Sequence, residues 1–256
     1  MRKVDGNPIG IKGIHGYLGN VKRLYRYLVE RELCEGNPFE GVKYPRLPDS
    51  VSRNILSEVQ MERLLEYLRA FDAPGREALR LRRYKVHVVS EMMYASGLRI
   101  HEAAALRMDH IDVVRRKVLV CGGKGRRGRE AFLTGYAAGV LGEYLKEGRS
   151  GVMKYGSANR GRAELVFGSK QGQLVAMVNG ELKEACEKLD LPLITSHCFR
   201  HSLGTHLLKR GCDMQYIQVI LGHESLNSTQ VYTRVDGEDL RENLDRCHPR
   251  QWRRRE

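Results

Sequence analysis

The sequence has no long hydrophobic run. None of its 256 residues fall in a stretch of about 18 consecutive apolar residues, the length that a membrane-spanning helix needs. The first residues, 1–6, carry charges but no apolar segment follows them, so the pattern of a secretory signal peptide is missing. With 41% hydrophobic and 29% charged residues, the composition is typical of a soluble globular protein. We therefore expect a cytoplasmic protein.

Paired cysteines and a nucleotide-binding loop are also missing. The six cysteines contain no CxxC pair, which predicts reduced thiols and argues against a zinc site. Cys198, His201 and His206 alone are weak support for zinc because the usual spacing is absent. Lys124 lies among glycines, but Gly125 follows it and the spacing of an ATP-binding P-loop is not met.

Acidic residues are scarce relative to basic ones. Lys and Arg number 44 and Asp and Glu number 31, which gives a net charge of +13 and a pI near 9.6. The segment 76–130 alone holds 14 basic and 6 acidic residues, a net of +8. A basic surface of this kind favours a polyanionic partner through counterion release. The charge therefore indicates nucleic acid binding.

A domain boundary is predicted at 36–50, which contains three of the seven prolines. We expect a small segment over 1–50 and the main domain over 51–256. Within the small segment, the apolar stripe in 21–28 predicts an amphipathic helix. Glycines at every third position from Gly10 to Gly19 argue against a helix across 6–16.

The main domain reads as mostly helical with one small antiparallel sheet. Ser57 and Gln60 form a predicted capping box, and Asp213 is a predicted helix N-cap. Two short strands flank a glycine-rich, cationic hairpin loop. The predicted strands are 117–120 and 130–133, and the predicted helices after Ser57 are about 79–95, 137–147, 180–189, 198–210, 213–221, 228–234 and 237–246.

Several polar residues stand at positions that suit anion chemistry. His197 and Arg200 share one face at the start of a helix, where the dipole favours anions. Arg99 and Glu102 form an i, i+3 pair, and His223 follows a helix-ending glycine. Taken singly, each of these features has an ordinary structural explanation.

The combination of these features along the chain is much more specific than any one of them. Four segments occur in a fixed order, and together they resemble the tyrosine recombinase (phage integrase) family, most closely its Xer branch. The resemblance extends from about residue 20 to 250, and the terminal Cys247-His-Pro-Arg250 is similar to the Xer tail. The four segments are Ser96–Glu102, Gly123–Gly125, His197–Leu208 and Leu221–Thr233.

The resemblance implies a reaction in which a tyrosine hydroxyl attacks the scissile phosphate of DNA and forms a 3′-phosphotyrosyl link. It implies no metal or nucleotide cofactor. The cationic hairpin residues Arg126, Arg127 and Arg129 are expected to bind DNA. The implied catalytic set is Tyr232 as nucleophile, Arg99 and Arg200 as the phosphate clamp, Lys124 as proton donor, His197 and His223 as the remaining pocket residues, and Glu102 as the supporting acid.

The resemblance also implies architecture and partners. It implies a catalytic domain of the DNA breaking-rejoining fold over 51–256, preceded by a remnant of a helical, SAM-like core-binding domain over 1–50. The expected partner is double-stranded DNA with an inverted-repeat site. The chain is expected to be a monomer in solution and to form a tetramer on the DNA. The tail, about 236–250, is expected to dock on a neighbouring protomer, although its stripe of Leu240, Leu244 and Cys247 also suits packing on its own domain.

Two other functions share these sequence features. A topoisomerase-like enzyme would use the same pocket to relax DNA, and a DNA-binding regulator derived from a recombinase would keep the fold without catalysis. The intact residue set argues against the regulator. Only strand exchange separates a recombinase from a relaxing enzyme, and the choice between chromosome dimer resolution and mobile-element integration stays open.

Overall fold

A computed structural model describes residues 9–45, 55–70, 76–121, 128–155, 162–222 and 237–250. The chain divides into two compact units, Met1–Ser52 and Arg53–Glu256. None of the described helices combines the length and hydropathy needed to cross a membrane.

The first unit is one long helix with a loop folded along it. Helix α1 spans Ile11–Glu30. Within the loop that follows it, the carbonyl of Val42 accepts a hydrogen bond from Lys22 Nζ at 2.7 Å. The ring of Phe39 lies 5.3 Å from that of Tyr25, centroid to centroid.

The expectation that glycines prevent a helix across 6–16 was wrong, because α1 begins at Ile11 and runs through Gly13 and Gly16. Glycine lowers helix stability by about 1 kcal/mol per residue, a preference that packing readily overrides. Here the loop supplies that packing: the ring of Tyr44 lies 4.9 Å from the ring of His15.

The second unit is built from nine described helices and one sheet. Helix starts carry the predicted caps: Ser57 and Gln60 form a capping box, and Asp213 accepts a hydrogen bond from the backbone N–H of Gln215. The described helices are α2 (Glu58–Arg69), α3 (Glu77–Ser96), α4 (Ile100–Ala104), α5 (Gly135–Glu143), α6 (Arg149–Tyr155), α7 (Gln171–Leu189), α8 (His197–Lys209), α9 (Met214–Leu221) and α10 (Gly237–Cys247).

Most predicted helices are confirmed to within two residues at each end, and three regions differ. Helix α7 begins nine residues before the predicted start, and the short helix α4 was not predicted. The helix predicted at 137–147 continues through a π-helical turn, Tyr144–Gly148, into α6. Gly148 lets the ring of Tyr84 pack against this turn, because a Cβ there would collide with the ring. The helix predicted at 228–234 lies outside the described residues.

The sheet has three antiparallel strands in the order β1 (Ile111–Asp112), β2 (Lys117–Val120) and β3 (Arg129–Phe132). The prediction for β2 is confirmed, β3 begins one residue early, and β1 was not predicted. Val120 pairs with Arg129, so both ends of the cationic hairpin loop are fixed at one point. The loop residues 122–127 lie outside the described part of the chain.

Helix α3 is the centre of the core, and it contacts α2, α5, α6, α7 and α8. Its residues 85–96 are all buried, as expected for a helix surrounded by others. Two of the buried charged side chains on α3 have partners. Lys85 donates to the carbonyl of Phe167 at 3.1 Å, and Glu91 forms an ion pair with Arg250 at 2.7 Å.

The tail packs on its own domain. Helix α10 contacts α8, α9 and β3, and its stripe of Leu240, Leu244 and Cys247 is buried. Asp245 accepts two hydrogen bonds from the guanidinium of Arg116, at 3.0 and 2.6 Å, which joins the helix to the sheet. The isolated chain therefore uses the apolar stripe within one molecule.

His248 anchors the end of this tail as a neutral side chain. Its Nε2 donates to the carbonyl of Tyr94 at 3.2 Å, and its Nδ1 accepts from the backbone N–H of Arg250 at 3.1 Å. Only the neutral imidazole can donate from one ring nitrogen and accept at the other. Burial lowers the pKa of His248 from its ordinary 6.5 to about 3.

This anchor predicts a loss of stability in acid. The unfolded histidine gains a proton below its ordinary pKa of 6.5, while the folded one stays neutral down to about 3, so its stabilising contribution is lost as pH falls through this range. Urea unfolding of the parent and of His248→Asn at several pH values measures this contribution. The difference in their free energies of unfolding should shrink by about 1.4 kcal/mol per pH unit between about pH 6 and pH 4.

Comparing the parent with His248→Asn cancels the effect of other titrating groups on the free energy of unfolding. Burial raises the pKa of Glu91 to about 7, which stabilises the fold as pH falls and therefore opposes the effect of His248. Glu91 is present in both proteins, so its contribution cancels in the difference. A difference that stays constant with pH would contradict a neutral anchor at His248.

Candidate active site

The candidate site is built around the turn between α3 and α4. Gly97 ends α3 in the left-handed conformation, with φ of 65°, and its N–H bonds to the carbonyl of Met93. The chain then extends at Arg99, the N-cap residue of α4. A left-handed residue at this position reverses the chain direction, and glycine adopts it without steric cost.

Glu102 lies on the first turn of α4 and faces back to the start of that helix. Its Oε2 accepts from the backbone N–H of Arg99 at 2.8 Å, and its Oε1 accepts from Arg99 Nη1 at 3.0 Å. A second guanidinium reaches the same carboxylate from the sheet, because Arg129 Nη2 lies 3.0 Å from Oε2. Three donors therefore fix this side chain.

The charge state of Glu102 follows from these contacts. Burial on its own would raise the pKa of this carboxyl group. The positive charge of Arg129 and the hydrogen bonds from Arg99 outweigh burial and hold the pKa below its ordinary value. Glu102 is thus an anion that binds two arginines.

Arg200 reaches the same turn from α8. Its side chain is buried, and Nη1 donates to the carbonyl of Gly97 at 2.7 Å. Arg99 lies within the turn 97–102 and binds its Glu102, whereas Arg200, from a distant part of the sequence, binds the carbonyl of its Gly97. His197 stands exposed at the start of α8, one helical turn before Arg200.

The end of α9 closes the site from another side. Gly222 adopts the left-handed conformation with φ of 61°, and its carbonyl lies 3.5 Å from Arg99 Nη2. A Cβ on Gly222 would fall 2.5 Å from Arg129 Nε, so the guanidinium lies directly against this glycine. His223 is the next residue in the chain.

The predicted site residues divide into three groups, and the roles of all of them stay predictions. The structure brings Arg99, Glu102 and Arg200 together and places Arg129 with them rather than on the outer surface. His197 is described and stands exposed at the start of α8. The remaining members, His223 among them, lie outside the described residues. They are Lys124, Arg126, Arg127, His223 and Tyr232.

Sequence reasoning missed the two glycines and the inward position of Arg129. Gly97 and Gly222 each follow the last turn of a helix, a pattern that signals a C-cap but not a place in a site. Two members of the weak zinc candidate are occupied elsewhere. His206 uses both ring nitrogens, toward Tyr94 Oη at 2.7 Å and the carbonyl of Leu56 at 2.9 Å, and Cys198 Sγ contacts Ser202 Oγ.

Comparison with known proteins agrees with this fold. The family model described as Phage integrase family matches residues 54–239. The tyrosine recombinase XerC of Halalkalibacterium halodurans is 34% identical over 241 residues, which cover 91% of this chain and 74% of the relative. The chain belongs to the phage integrase family, and the predicted resemblance is confirmed.

Solved structures show the same likeness. The integrase from mycobacterium phage Brujita is 25% identical, with a TM-score of 0.55 over 98% of this chain and 76% of its own. The Tn1549 transposon integrase, in complex with circular intermediate DNA, is 17% identical with a TM-score of 0.62, over 93% and 80% of the two chains. The second likeness is one of fold. The predicted fold class, mainly helical with a small antiparallel sheet, is confirmed.

The close packing around Gly97 gives a stability prediction. A Cβ at this position would lie 2.8 Å from Leu221 Cδ2, in a residue whose φ is already positive. Gly211 is a matched control, because its φ is 75° and a Cβ there meets no described atom within 4 Å. Gly211→Ala should lower the free energy of unfolding by about 1 kcal/mol, from backbone strain alone.

Gly97→Ala should lower the free energy of unfolding by about 1–3 kcal/mol more than Gly211→Ala, because it adds a steric clash to the strain. Urea denaturation measures both. Equal losses in the two variants would show that Leu221 moves aside freely and that the turn is not tightly packed.

Proposed function

We propose that this chain is a site-specific DNA recombinase that cuts and rejoins strands through a covalent 3′-phosphotyrosyl intermediate on Tyr232. The observation that carries the proposal is the turn 97–102, where Arg99 binds Glu102 and Arg200 binds the carbonyl of Gly97. Similarity to a tyrosine recombinase over most of the chain supports the same function.

In the proposed reaction the hydroxyl oxygen of Tyr232 attacks the scissile phosphorus. The bond from phosphorus to the 5′ oxygen breaks, and Lys124 donates the proton that makes this oxygen a hydroxyl leaving group. A 5′-hydroxyl of another strand then attacks the phosphotyrosine and releases Tyr232. Each step exchanges one phosphate ester for another, so the bond energy is conserved and no nucleotide is consumed.

Fixed positive charge is the main catalytic requirement of such a step. Negative charge spreads over the phosphoryl oxygens in the transition state, and preorganised donors stabilise it. Arg99 and Arg200 suit this role because a guanidinium is permanently charged and offers forked donors. A tyrosine hydroxyl has a pKa near 10, so the proposal assigns His197 and His223 to accept its proton or to stabilise the phenolate.

The proposed partner is double-stranded DNA carrying an inverted-repeat site, bound by four copies of the chain. The net charge of +13 supports a DNA partner, and the Tn1549 integrase is a structural neighbour in complex with DNA. Arg126 and Arg127 are proposed to contact the DNA backbone. Arg129 differs from them because its guanidinium binds Glu102.

Within this proposal, residues 1–50 belong to a helical core-binding domain and 51–256 form the catalytic domain. The chain is proposed to act on DNA in the cytoplasm, as a monomer that assembles into a tetramer on its site. Strand exchange between two such sites is the activity that distinguishes it from a DNA-relaxing enzyme.

The nucleophile is tested by Tyr232→Phe, which removes one hydroxyl. We expect loss of the covalent adduct on a suicide substrate nicked beside the scissile phosphate, with DNA affinity close to that of the parent. Denaturing gels measure the adduct and a binding titration measures the affinity. An undiminished adduct from the Phe variant would remove Tyr232 from this role.

The proton donor is tested with a substrate whose leaving 5′ oxygen is replaced by sulfur. Lys124→Ala should cleave the ordinary substrate at least about a hundredfold more slowly, since general acid catalysis typically contributes about a hundredfold to ten-thousandfold. The sulfur substrate should restore its rate, because a thiolate leaves without a proton. Arg200→Ala is the control, since loss of a phosphate ligand should persist with sulfur. Equal defects on both substrates would contradict the role of Lys124.

A further inference from the structure

We propose that Arg129 is a positioning residue for the reaction: it holds the carboxylate of Glu102 and, through it, the guanidinium of Arg99. This inference rests on the proposed function, because it concerns the geometry of the proposed phosphate clamp. It assigns to Arg129 a role inside the site in place of a contact with the DNA backbone.

The first support is the way in which Glu102 is shared. Its two oxygens bind the Nη1 and backbone N–H of Arg99, and Arg129 Nη2 binds the same Oε2 as the N–H. The side chains are 18% exposed for Arg129 and 16% exposed for Glu102, so the pair is largely shielded from water. A shielded, charge-assisted hydrogen bond fixes orientation more strongly than an exposed one. Without Arg129, the carboxylate loses its only described partner outside Arg99.

The second support is the contact with Gly222. The guanidinium of Arg129 lies against this glycine, whose carbonyl faces Arg99 Nη2. Arg129 therefore touches both groups that Arg99 uses, the carboxylate of Glu102 and the end of α9. Replacement of Arg129 by a shorter side chain would leave space beside both.

The third support is the anchoring of Arg129 itself. It is the first residue of β3 and pairs with Val120 of β2, so its backbone is fixed by the sheet. A positioning group is effective when its own backbone is rigid. Because its Nη1 is buried and has no hydrogen-bond partner among the described residues, a direct contact with the phosphate is the competing role that the experiment must separate.

A double-mutant cycle separates the two roles. Arg129→Gln, Glu102→Gln and the double variant are compared with the parent for the rate of adduct formation at saturating DNA and for DNA affinity. Arg115→Gln is the matched control, since it removes the same charge from an exposed position beside the sheet, where Arg115 pairs with Asp112 at 3.7 Å.

We expect Arg129→Gln to form the adduct about 10- to 100-fold more slowly than the parent, the scale expected from small displacements of a catalytic group. Its DNA affinity should stay within about threefold of the parent, because loss of one positive charge changes DNA affinity only slightly. For Arg115→Gln, both the rate of adduct formation and the DNA affinity should stay within about threefold of the parent. The double variant should be no more than about threefold slower than the slower single variant, since the two residues act as one unit. Multiplicative effects would overturn the proposal in favour of an independent contact.

The sulfur substrate excludes an effect through the hairpin loop that carries Lys124. Arg129→Gln should remain slow on this substrate, because the defect concerns Arg99 and not the leaving proton. Full recovery of its rate would overturn the proposal. If Arg129→Gln does not fold, Arg129→Lys takes its place, since it keeps the charge but loses the forked geometry.

Failure of this inference is distinguishable from failure of the proposed function. A parent protein that forms no adduct on any tested site would count against the recombinase proposal. A parent that forms the adduct, together with an Arg129→Gln variant within about twofold of its rate, would count against the positioning role alone.

Discussion

The arrangement of the site depends on one carboxylate, that of Glu102. Arg99 and Arg129 are permanently charged, and before any phosphate binds they repel each other. Glu102 stands between them, accepts a hydrogen bond from each and stays ionised because of them. It therefore allows a concentration of positive charge to exist in the folded protein while leaving the guanidinium of Arg99 oriented for an anion.

Backbone geometry supplies the remaining constraint. The carbonyl of Gly97 receives Arg200, and the carbonyl of Gly222 faces Arg99, so each arginine is oriented by the end of a helix that it does not belong to. Both glycines have positive φ, which turns the chain sharply and exposes these carbonyls. The buried helix α3 and the tail packed against it hold the turn in place. Charge, turn geometry and core packing are thus parts of one structure.

Features that depend on neighbouring residues were predictable from sequence. The capping box at Ser57, the N-cap at Asp213 and the strand Lys117–Val120 follow from local patterns of hydrogen bonding and side-chain alternation.

Features that depend on contacts between distant residues could not be predicted from sequence. The start of α1 is stabilised by the loop around Tyr44, and the ring of Tyr84 packs against the π turn where Gly148 leaves room for it. From sequence, Arg129 was expected to bind DNA like the other cations of the hairpin, because nothing within the hairpin reveals that Glu102 is its partner. The pairing of Arg99 with Glu102 was visible in the sequence, whereas the carbonyls that orient Arg99 and Arg200 are set by tertiary structure.

The proposed reaction of this site is phosphoryl transfer through a covalent bond to Tyr232. The most direct measurement is mass spectrometry of the adduct trapped on a nicked substrate, after digestion of both protein and DNA. We expect a single modified peptide, with the nucleotide attached through its 3′ phosphate to Tyr232. Attachment to any other residue, or cleaved DNA without a covalently modified peptide, would contradict it.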